Sequence, residues 1–246
     1  MDLKGLALCS RYSYPPNSLS LCGPDKKDKQ MDLRYYSGSQ KSDKGTLEIL
    51  SQFSTLYPYL QLIAYENNIK DPFEEKVVEA YWLGNKLLYQ TSIKDYVKHL
   101  SETLAFRKKM KRKELEFIFG KIEMGALPHH SFHVLNIYKR TGHLDIPHTF
   151  QTMDACLVNW GKVIKITPYN LMVETNPLTI KRGKIAFGKK VERKLIFQGD
   201  KDTMIKRLKI GDFVSYHWGY FCQKLTLRQV NNLSYYTNLS INIANY

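Results

Sequence analysis

The hydrophobic positions of the first part of the chain follow a helical period. Across residues 45–66 apolar side chains recur at intervals of three and four, and Pro58 is predicted to kink or end this helix. A second helix is predicted to begin with Asp71 as its N-cap and Pro72 at its first position. A third is predicted to begin at Ser92. These patterns predict a helical core in the N-terminal half.

The paired prolines Pro15 and Pro16 predict that much of the first segment is irregular, since proline lacks the N–H that a helix needs. This segment also holds Cys9 and Cys22. Two cysteines on a rigid backbone suggest metal ligands or a redox pair, and the alternative is that both are small buried apolar residues. The 12 residues between them match no usual metal-ligand spacing.

The pattern changes to that of strands after residues 145–152. Short β-branched and aromatic segments separated by Gly, Pro or Asn predict strands over 156–166, 170–174, 184–187, 192–197 and 212–218. Thr226 is predicted to cap a last helix. The predicted fold class is therefore α+β. A helical domain over 1–150 is followed by a small antiparallel β-barrel with a C-terminal helix over 151–246.

Composition indicates a globular chain. Of the 246 residues 43% are hydrophobic and 13% aromatic, which argues against disorder. The 4 cysteines are too widely spaced for a disulfide framework or a CxxC zinc pair, which favours a reducing compartment. The first apolar run is too short for a signal sequence, and no run reaches the length of a membrane span. A cytoplasmic protein without a membrane partner is expected.

The charge is strongly basic and uneven. The formal net charge is +14, and residues 151–246 contribute 15 basic and 6 acidic side chains, or +9, which leaves +5 for the first 150 residues. A basic barrel with exposed aromatics such as Tyr216, Trp218 and Tyr220 is typical of nucleic-acid binding, so this function is one alternative. The basic run 107–113 suits an acidic partner or a solvated helix end equally well.

A histidine-rich run, residues 128–136, is predicted to begin a helix near Pro128. Residues four apart share a helix face, so His129 and His133 are candidates to hold a metal jointly, with His130 as a secondary candidate. Local hydrogen bonding is the alternative. No glutamate lies between them, which excludes the HExxH hydrolase pattern. Two weaker candidates in the following connector are His143 and His148.

Three short motifs of the C-terminal half occur in an order that is known from one family. They are Cys156, the run Gly161-Lys162-Val163, and the run from Gly211 to Gly219 that contains His217. With these motifs the half resembles the small hydrogenase maturation chaperones of the HypC/HupF type. The resemblance implies an OB-like, HypC-like barrel and a metallochaperone function. In that family the cysteine and the histidine hold an iron fragment that carries cyanide and carbon monoxide.

By this resemblance Cys156 is the thiolate ligand of iron, and His217 is an auxiliary ligand or hydrogen-bond partner. Thiolate is a soft donor that suits low-spin iron, and imidazole beside it can orient the bound fragment. The implied protein partner is a maturation factor or the large subunit of a nickel–iron hydrogenase. Strand alternation places Ser215 and His217 on one face and Tyr216 and Trp218 on the other. A shared site therefore requires that Cys156 lie beside His217 on the face that carries this histidine.

The chain also departs from the family pattern. The family's cysteine follows the initiator methionine, whereas Cys156 is internal and has no free amine beside it. Cys222 is an additional thiol and a secondary metal candidate. The first 150 residues resemble uncharacterised bacterial and archaeal proteins that share the runs around Cys9 and His130, and this resemblance implies no known activity.

A metal or redox enzyme that uses Cys9, Cys22 and the histidine run is a further alternative. The sequence has no nucleophile with a base at readable spacing, no phosphate-binding glycine loop and no dinucleotide fingerprint. These observations favour an accessory or binding role over an enzyme.

Overall fold

The computed structural model describes residues 1–25, 27–39, 42–137, 149–198 and 205–246. These residues form a mixed fold, with helices in the N-terminal part, a five-stranded sheet, a two-stranded sheet and a long C-terminal helix. The α-helices among them are α1 (Leu3–Ser18), α2 (Lys27–Ser39), α3 (Lys44–Leu50), α4 (Leu56–Glu66), α5 (Glu75–Trp82), α6 (Ile93–Lys98), α7 (Phe106–Lys109), α8 (Arg112–Glu123), α9 (His130–Asn136), α10 (Phe150–Cys156) and α11 (Leu227–Ala244). Shorter turns are a π-helix at His99–Thr103 and 3-10 helices at Lys86–Gln90 and Ile205–Arg207.

The prediction of an irregular first segment is wrong, because α1 runs through both of its prolines. Pro15 and Pro16 lie in the last turn of the helix, and Asp2 caps its beginning by accepting from the backbone N–H groups of Lys4 and Gly5. The prolines are tolerated because the carbonyls they leave without a helical donor accept hydrogen bonds from side chains of the sheet region.

The helix predicted over residues 45–66 is two helices. The break falls at residues 51–55, and Pro58 lies in the first turn of α4, where its missing N–H has no intrahelical partner to lose. Asp71 is not an N-cap, since α5 begins only at Glu75. The carboxylate of Asp71 instead accepts from the backbone N–H of Phe73 at 2.9 Å and from that of Asp2 at 2.8 Å.

Two predicted caps are confirmed. The side chain of Ser92 accepts from the backbone N–H of Asp95 at the start of α6. Thr226 and Gln229 form a capping box at the start of α11. Both helices therefore begin where local sequence signals place them.

The strands are β1 (Asn159–Ile166), β2 (Asn170–Thr175), β3 (Leu178–Lys181), β4 (Lys184–Phe187), β5 (Val191–Ile196), β6 (Phe213–His217) and β7 (Tyr220–Leu225). Five of them correspond to predicted strands, although Cys156 ends α10 rather than beginning β1. The prediction missed β3 and β7. Each belongs to a tight hairpin whose two turn residues both have positive φ, Arg182-Gly183 and Trp218-Gly219, which is the signature of a type I′ turn.

The large sheet has the strand order β1-β2-β5-β7-β6, and β6 pairs with β1, so each strand has two neighbours. All pairs are antiparallel except β5 with β7, which is parallel and joins Ile196 to Tyr220. An entirely antiparallel sheet was therefore the wrong prediction.

One hydrophobic core contains residues from both halves of the chain. Cys222, Leu225, Leu233 and Tyr236 belong to the same cluster as the buried side chains of helices α1, α4 and α5. A second cluster is formed mainly by side chains of the five-stranded sheet and includes Tyr216, which is 1% exposed. Tyr216 is thus not the exposed aromatic that the nucleic-acid alternative assumed. The boundary near residue 150 stays a prediction.

The basic run 107–113 is mainly exposed, on α7 and the beginning of α8. Within the described ranges, no helix combines the length and the apolar character that a membrane crossing requires.

Candidate metal centre

Three side chains from different elements lie close together. His130 begins α9, Cys156 ends α10 and His217 ends β6, and one ligand atom from each lies within 4.8 Å of the others. Cys156 and His217 are therefore neighbours, as the shared-site hypothesis requires. His130, a secondary candidate in the sequence, is the third member of the group.

The group borders a cavity of about 80 Å³. Most of the cavity wall is apolar, and it includes Pro16, Phe53, Leu56, Trp82 and Val134. Two further sequence candidates, Cys22 and His133, also line it. A dry wall of this kind strengthens electrostatic interactions at the site and limits access of water.

His217 is fully buried and held by a hydrogen bond to α1. Its Nδ1 lies 2.7 Å from the carbonyl oxygen of Tyr12. A carbonyl only accepts, so Nδ1 carries the proton and Nε2 carries a lone pair. This Nε2 is buried and has no hydrogen-bond partner among the described residues. Burial lowers the pKa of His217 to about 4, so the imidazole is neutral near pH 7.

Strand alternation explains how His217 reaches this position. Ser215 and His217 both contact Tyr12 of α1, while Val214 and Tyr216 belong to the second hydrophobic cluster. The two pairs therefore lie on opposite faces of β6, as the alternation predicted. Trp218 departs from the pattern. It occupies the hairpin turn with a φ of 52° and lines the same cavity as His217.

His130 makes hydrogen bonds through both ring nitrogens. Its Nε2 donates to the carbonyl oxygen of Cys156 at 2.8 Å, so its Nδ1 accepts from the hydroxyl of Tyr81 at 3.2 Å. Burial, with a further contribution from His217, lowers the pKa of His130 well below its ordinary value. The two rings meet edge to face with centroids 5.3 Å apart. Metal binding through Nε2 requires His130 to release the Cys156 carbonyl.

Cys156 is half-buried, and its helix is fastened to the sheet by Asp154. The carboxylate of Asp154 pairs with Arg193 at 2.8 Å and accepts from the backbone N–H of Leu178 at 2.9 Å. The backbone N–H of Trp218 donates to the carbonyl of Ala155 at 2.9 Å. These bonds hold the end of α10 against the β6–β7 turn, and so hold Cys156 near His217.

The donor set fits a transition-metal ion. One thiol and two neutral imidazoles suit iron, zinc or copper, whereas magnesium and calcium prefer oxygen ligands. The lone pair of His217 Nε2 has no hydrogen-bond partner among the described residues, and a metal ion would supply the missing partner. Three protein ligands leave a coordination position for an exogenous ligand.

His129 and His133 contact different partners. His129 precedes α9 as its N-cap in an extended conformation, so the i,i+4 relation of a helix does not hold for the pair. Its Nδ1 lies 2.6 Å from the hydroxyl of Ser131, and its ring stacks on Tyr236 of α11. His133 Nδ1 lies 3.1 Å from the hydroxyl of Tyr59. Burial lowers the pKa of His129 to about 3.

The remaining cysteine candidates have different environments. All 4 cysteines lie among the described residues, and none of them forms a disulfide. Cys9 lies in the core, where burial raises the pKa of its thiol to about 12. Cys222 is also buried, and its Sγ donates to the carbonyl of Arg11 at 3.5 Å. Cys22 is half-buried at the cavity wall. His143 and His148 lie outside the described residues.

Sequence reasoning missed two residues that shape the centre, Tyr12 and Tyr81. Each contacts an imidazole of the group, Tyr12 through its carbonyl and Tyr81 through its hydroxyl. The proline pair gave a local signal for Tyr12, because it frees carbonyls four residues earlier. Tyr81 has no comparable signal.

No curated protein and no solved structure matches the chain. A family of unknown function, DUF6390, matches residues 1–246. Since that match covers the whole sequence, the chain belongs to this family.

Proposed function

We propose that the protein is an accessory metal-binding protein, a metallochaperone that holds iron through Cys156, His217 and His130. The observation that carries the proposal is the approach of these three donors to within 4.8 Å of one another at the wall of an apolar cavity. Thiolate and neutral imidazole are donors that iron accepts, and the burial of both histidines keeps their imidazoles neutral near pH 7.

The arrangement of the sheet supports a function like that of the HypC/HupF chaperones. Cys156 ends α10, shortly before β1, and His217 ends β6, in the order of the motifs that carry the resemblance. The five strands with one parallel pair suit an OB-like barrel. The family's free N-terminal amine has no counterpart beside Cys156, and His130 supplies a third donor from the helical half.

The partner we propose is a protein that donates the iron fragment or receives it, such as a maturation factor or a hydrogenase large subunit. Cys156 is half-buried while both imidazoles are buried. The thiol side is therefore the side on which a fragment enters or leaves.

Metal analysis of anaerobically purified protein tests the proposal. Wild-type protein supplied with Fe²⁺ is expected to retain about one equivalent of iron after desalting, because three donors converge on one position. Cys156→Ala is expected to lose it. Cys222→Ala is the matched control, since it removes a buried thiol on β7 that does not belong to the group of Cys156, His130 and His217. The Sγ of Cys222 contacts Arg11, Gln198 and Tyr220 instead.

Co-expression with hydrogenase maturation proteins tests the identity of the fragment. Infrared bands of iron-bound cyanide and carbon monoxide are expected in wild type and Cys222→Ala but not in Cys156→Ala. Iron retained equally by all three proteins, or by none, contradicts the metal site. Iron retention without these bands contradicts the hydrogenase-maturation function and leaves metal binding intact.

A further inference from the structure

Helix α1 exposes two backbone carbonyls to the sheet region. In an α-helix the N–H of each residue bonds to the carbonyl four residues earlier. Pro15 and Pro16 have no N–H, so the carbonyls of Arg11 and Tyr12 lack the donor that a helix supplies four residues later. Buried carbonyls of this kind need partners from elsewhere in the fold.

A side chain from the sheet region bonds to each carbonyl. Gln198 Nε2 donates to the carbonyl of Arg11 at 2.7 Å, and His217 Nδ1 donates to the carbonyl of Tyr12 at 2.7 Å. The hydroxyl of Tyr12 also lies 2.7 Å from that of Ser215, which fixes the same turn of α1 on β6. Pro16 thus leaves the Tyr12 carbonyl available to His217, and Pro15 leaves the Arg11 carbonyl available to Gln198.

The contact with Tyr12 selects one tautomer of His217. The competing neutral form of the ring carries its proton on Nε2. In that form Nδ1 would carry a lone pair facing the carbonyl oxygen of Tyr12 at 2.7 Å, which sets two acceptors against each other. The form with the proton on Nδ1 is therefore favoured, and Nε2 is left bare.

We infer that Pro16 is a positioning residue of the centre, because it frees the Tyr12 carbonyl that holds His217 with Nε2 available to a ligand. The inference rests on the proposed function for the identity of that ligand, a transition-metal ion. Outer hydrogen bonds to ligating histidines fix the tautomer and ring orientation in metal sites, and their loss typically lowers affinity about 10–100-fold.

Substitution of Pro16 tests this role. Pro16→Ala restores an N–H that competes with His217 for the Tyr12 carbonyl. Pro16→Val does the same while keeping apolar volume at the cavity wall, which Pro16 lines. Pro15→Ala is the matched control, since it restores the neighbouring N–H toward Arg11. Thermal unfolding is expected to show that all three variants fold, because each restores a helical hydrogen bond.

Two measurements read the outcome. In metal-free protein with ¹⁵N-labelled histidine, we expect the His217 signals to show protonated Nδ1 in wild type and in Pro15→Ala, and a mixture of tautomers in both Pro16 variants. In titrations with Co²⁺, followed by its thiolate charge-transfer absorption, we expect affinity to fall about 10-fold or more in the Pro16 variants only.

The two proposals fail separately. If wild type binds no Co²⁺ the metal function is overturned, while the tautomer signals still test the role of Pro16. If His217 has protonated Nε2 in wild type, or if the Pro16 variants match Pro15→Ala in both measurements, the positioning role is overturned and the metal function stands.

Discussion

His99 is a buried histidine outside the metal centre, and its burial makes stability depend on pH. Its ring meets Tyr59 edge to face at 4.6 Å, and its Nε2 has no hydrogen-bond partner among the described residues. Burial lowers its pKa from 6.5 to about 4. His99 therefore becomes protonated below about pH 6.5 in the unfolded chain but only below about pH 4 in the folded protein. Folding free energy is lost as the pH falls through this window.

Replacing His99 by leucine is expected to flatten this pH dependence. A shift of this size corresponds to a loss of about 2 kcal/mol between about pH 7.5 and pH 5 for one fully buried histidine. Urea unfolding at both pH values measures it. The decrease in unfolding free energy between them should be about 2 kcal/mol smaller in His99→Leu than in wild type. An equal decrease in both proteins would show that His99 titrates normally in the folded state.

Among the site residues, the sequence predicted the meeting of Cys156 and His217 through the order of the motifs. It did not predict which histidine of the run would join them. Helical spacing favoured His129 with His133, but the chain is still extended at His129, and the first helical residue, His130, faces the cavity instead. The direction in which the side chains of a helix's first turn point depends on tertiary packing, and the local spacing of residues carries no information on that packing.

At the scale of elements, α1 approaches the start of α5 closely at Gly5. A Cβ on Gly5 would overlap the carbonyl oxygen of Phe73 and crowd the backbone nitrogen of Glu75. Gly120, in α8, has no described atom within 4 Å of the same position. Both are helical glycines without positive φ, so an alanine differs between them only in what it meets.

We therefore expect opposite effects from the two alanine substitutions. Gly5→Ala should destabilise the protein by about 1–3 kcal/mol, because backbone must move to admit the methyl group. Gly120→Ala should stabilise it by about 0.5–1 kcal/mol through helix propensity. Chemical denaturation of both variants and of wild type measures these changes in the free energy of unfolding. A Gly5→Ala protein as stable as wild type would mean that α1 does not pack on residues 73–75 as described.

Local signals predicted elements where the signal and the tertiary contacts agree. Ser92 and Thr226 cap helices as expected, because capping needs only neighbouring backbone. The diproline helix α1 could not be predicted, since the partners that replace its missing hydrogen bonds, Gln198 and His217, lie 187 and 205 residues further along the chain. The type I′ turns at Arg182-Gly183 and Trp218-Gly219 have Arg and Trp where Asn, Asp or Gly is usual, so the local signal for β3 and β7 was weak.

For the whole molecule, the predicted division near residue 150 crosses both the core and the metal centre. The centre takes His130 from one side and Cys156 and His217 from the other. The main core likewise combines Tyr12 and Trp82 with residues of β7 and α11. The change from helical to strand patterning marks where secondary structure changes. A pattern along the chain does not reveal whether two segments share a core.

Separate expression of residues 1–150 and 151–246 tests whether either half folds alone. Four side chains of the second segment are at most 5% exposed in the whole chain and pack in one cluster with side chains of the first segment: Cys222, Leu225, Leu233 and Tyr236. They would become exposed if the second segment were expressed alone. Burial of one such side chain contributes about 1.5–3 kcal/mol, and domains are stable by only about 5–15 kcal/mol. We expect residues 151–246 alone to show no cooperative unfolding in urea when unfolding is monitored by the fluorescence of Trp160 and Trp218.

Co-expression of the two segments is the control, and it should restore a cooperative transition because the shared core can form again. A cooperative transition in the isolated second segment would instead establish it as an autonomous domain, and the contacts of α1 and α9 with it would then be an interface between domains.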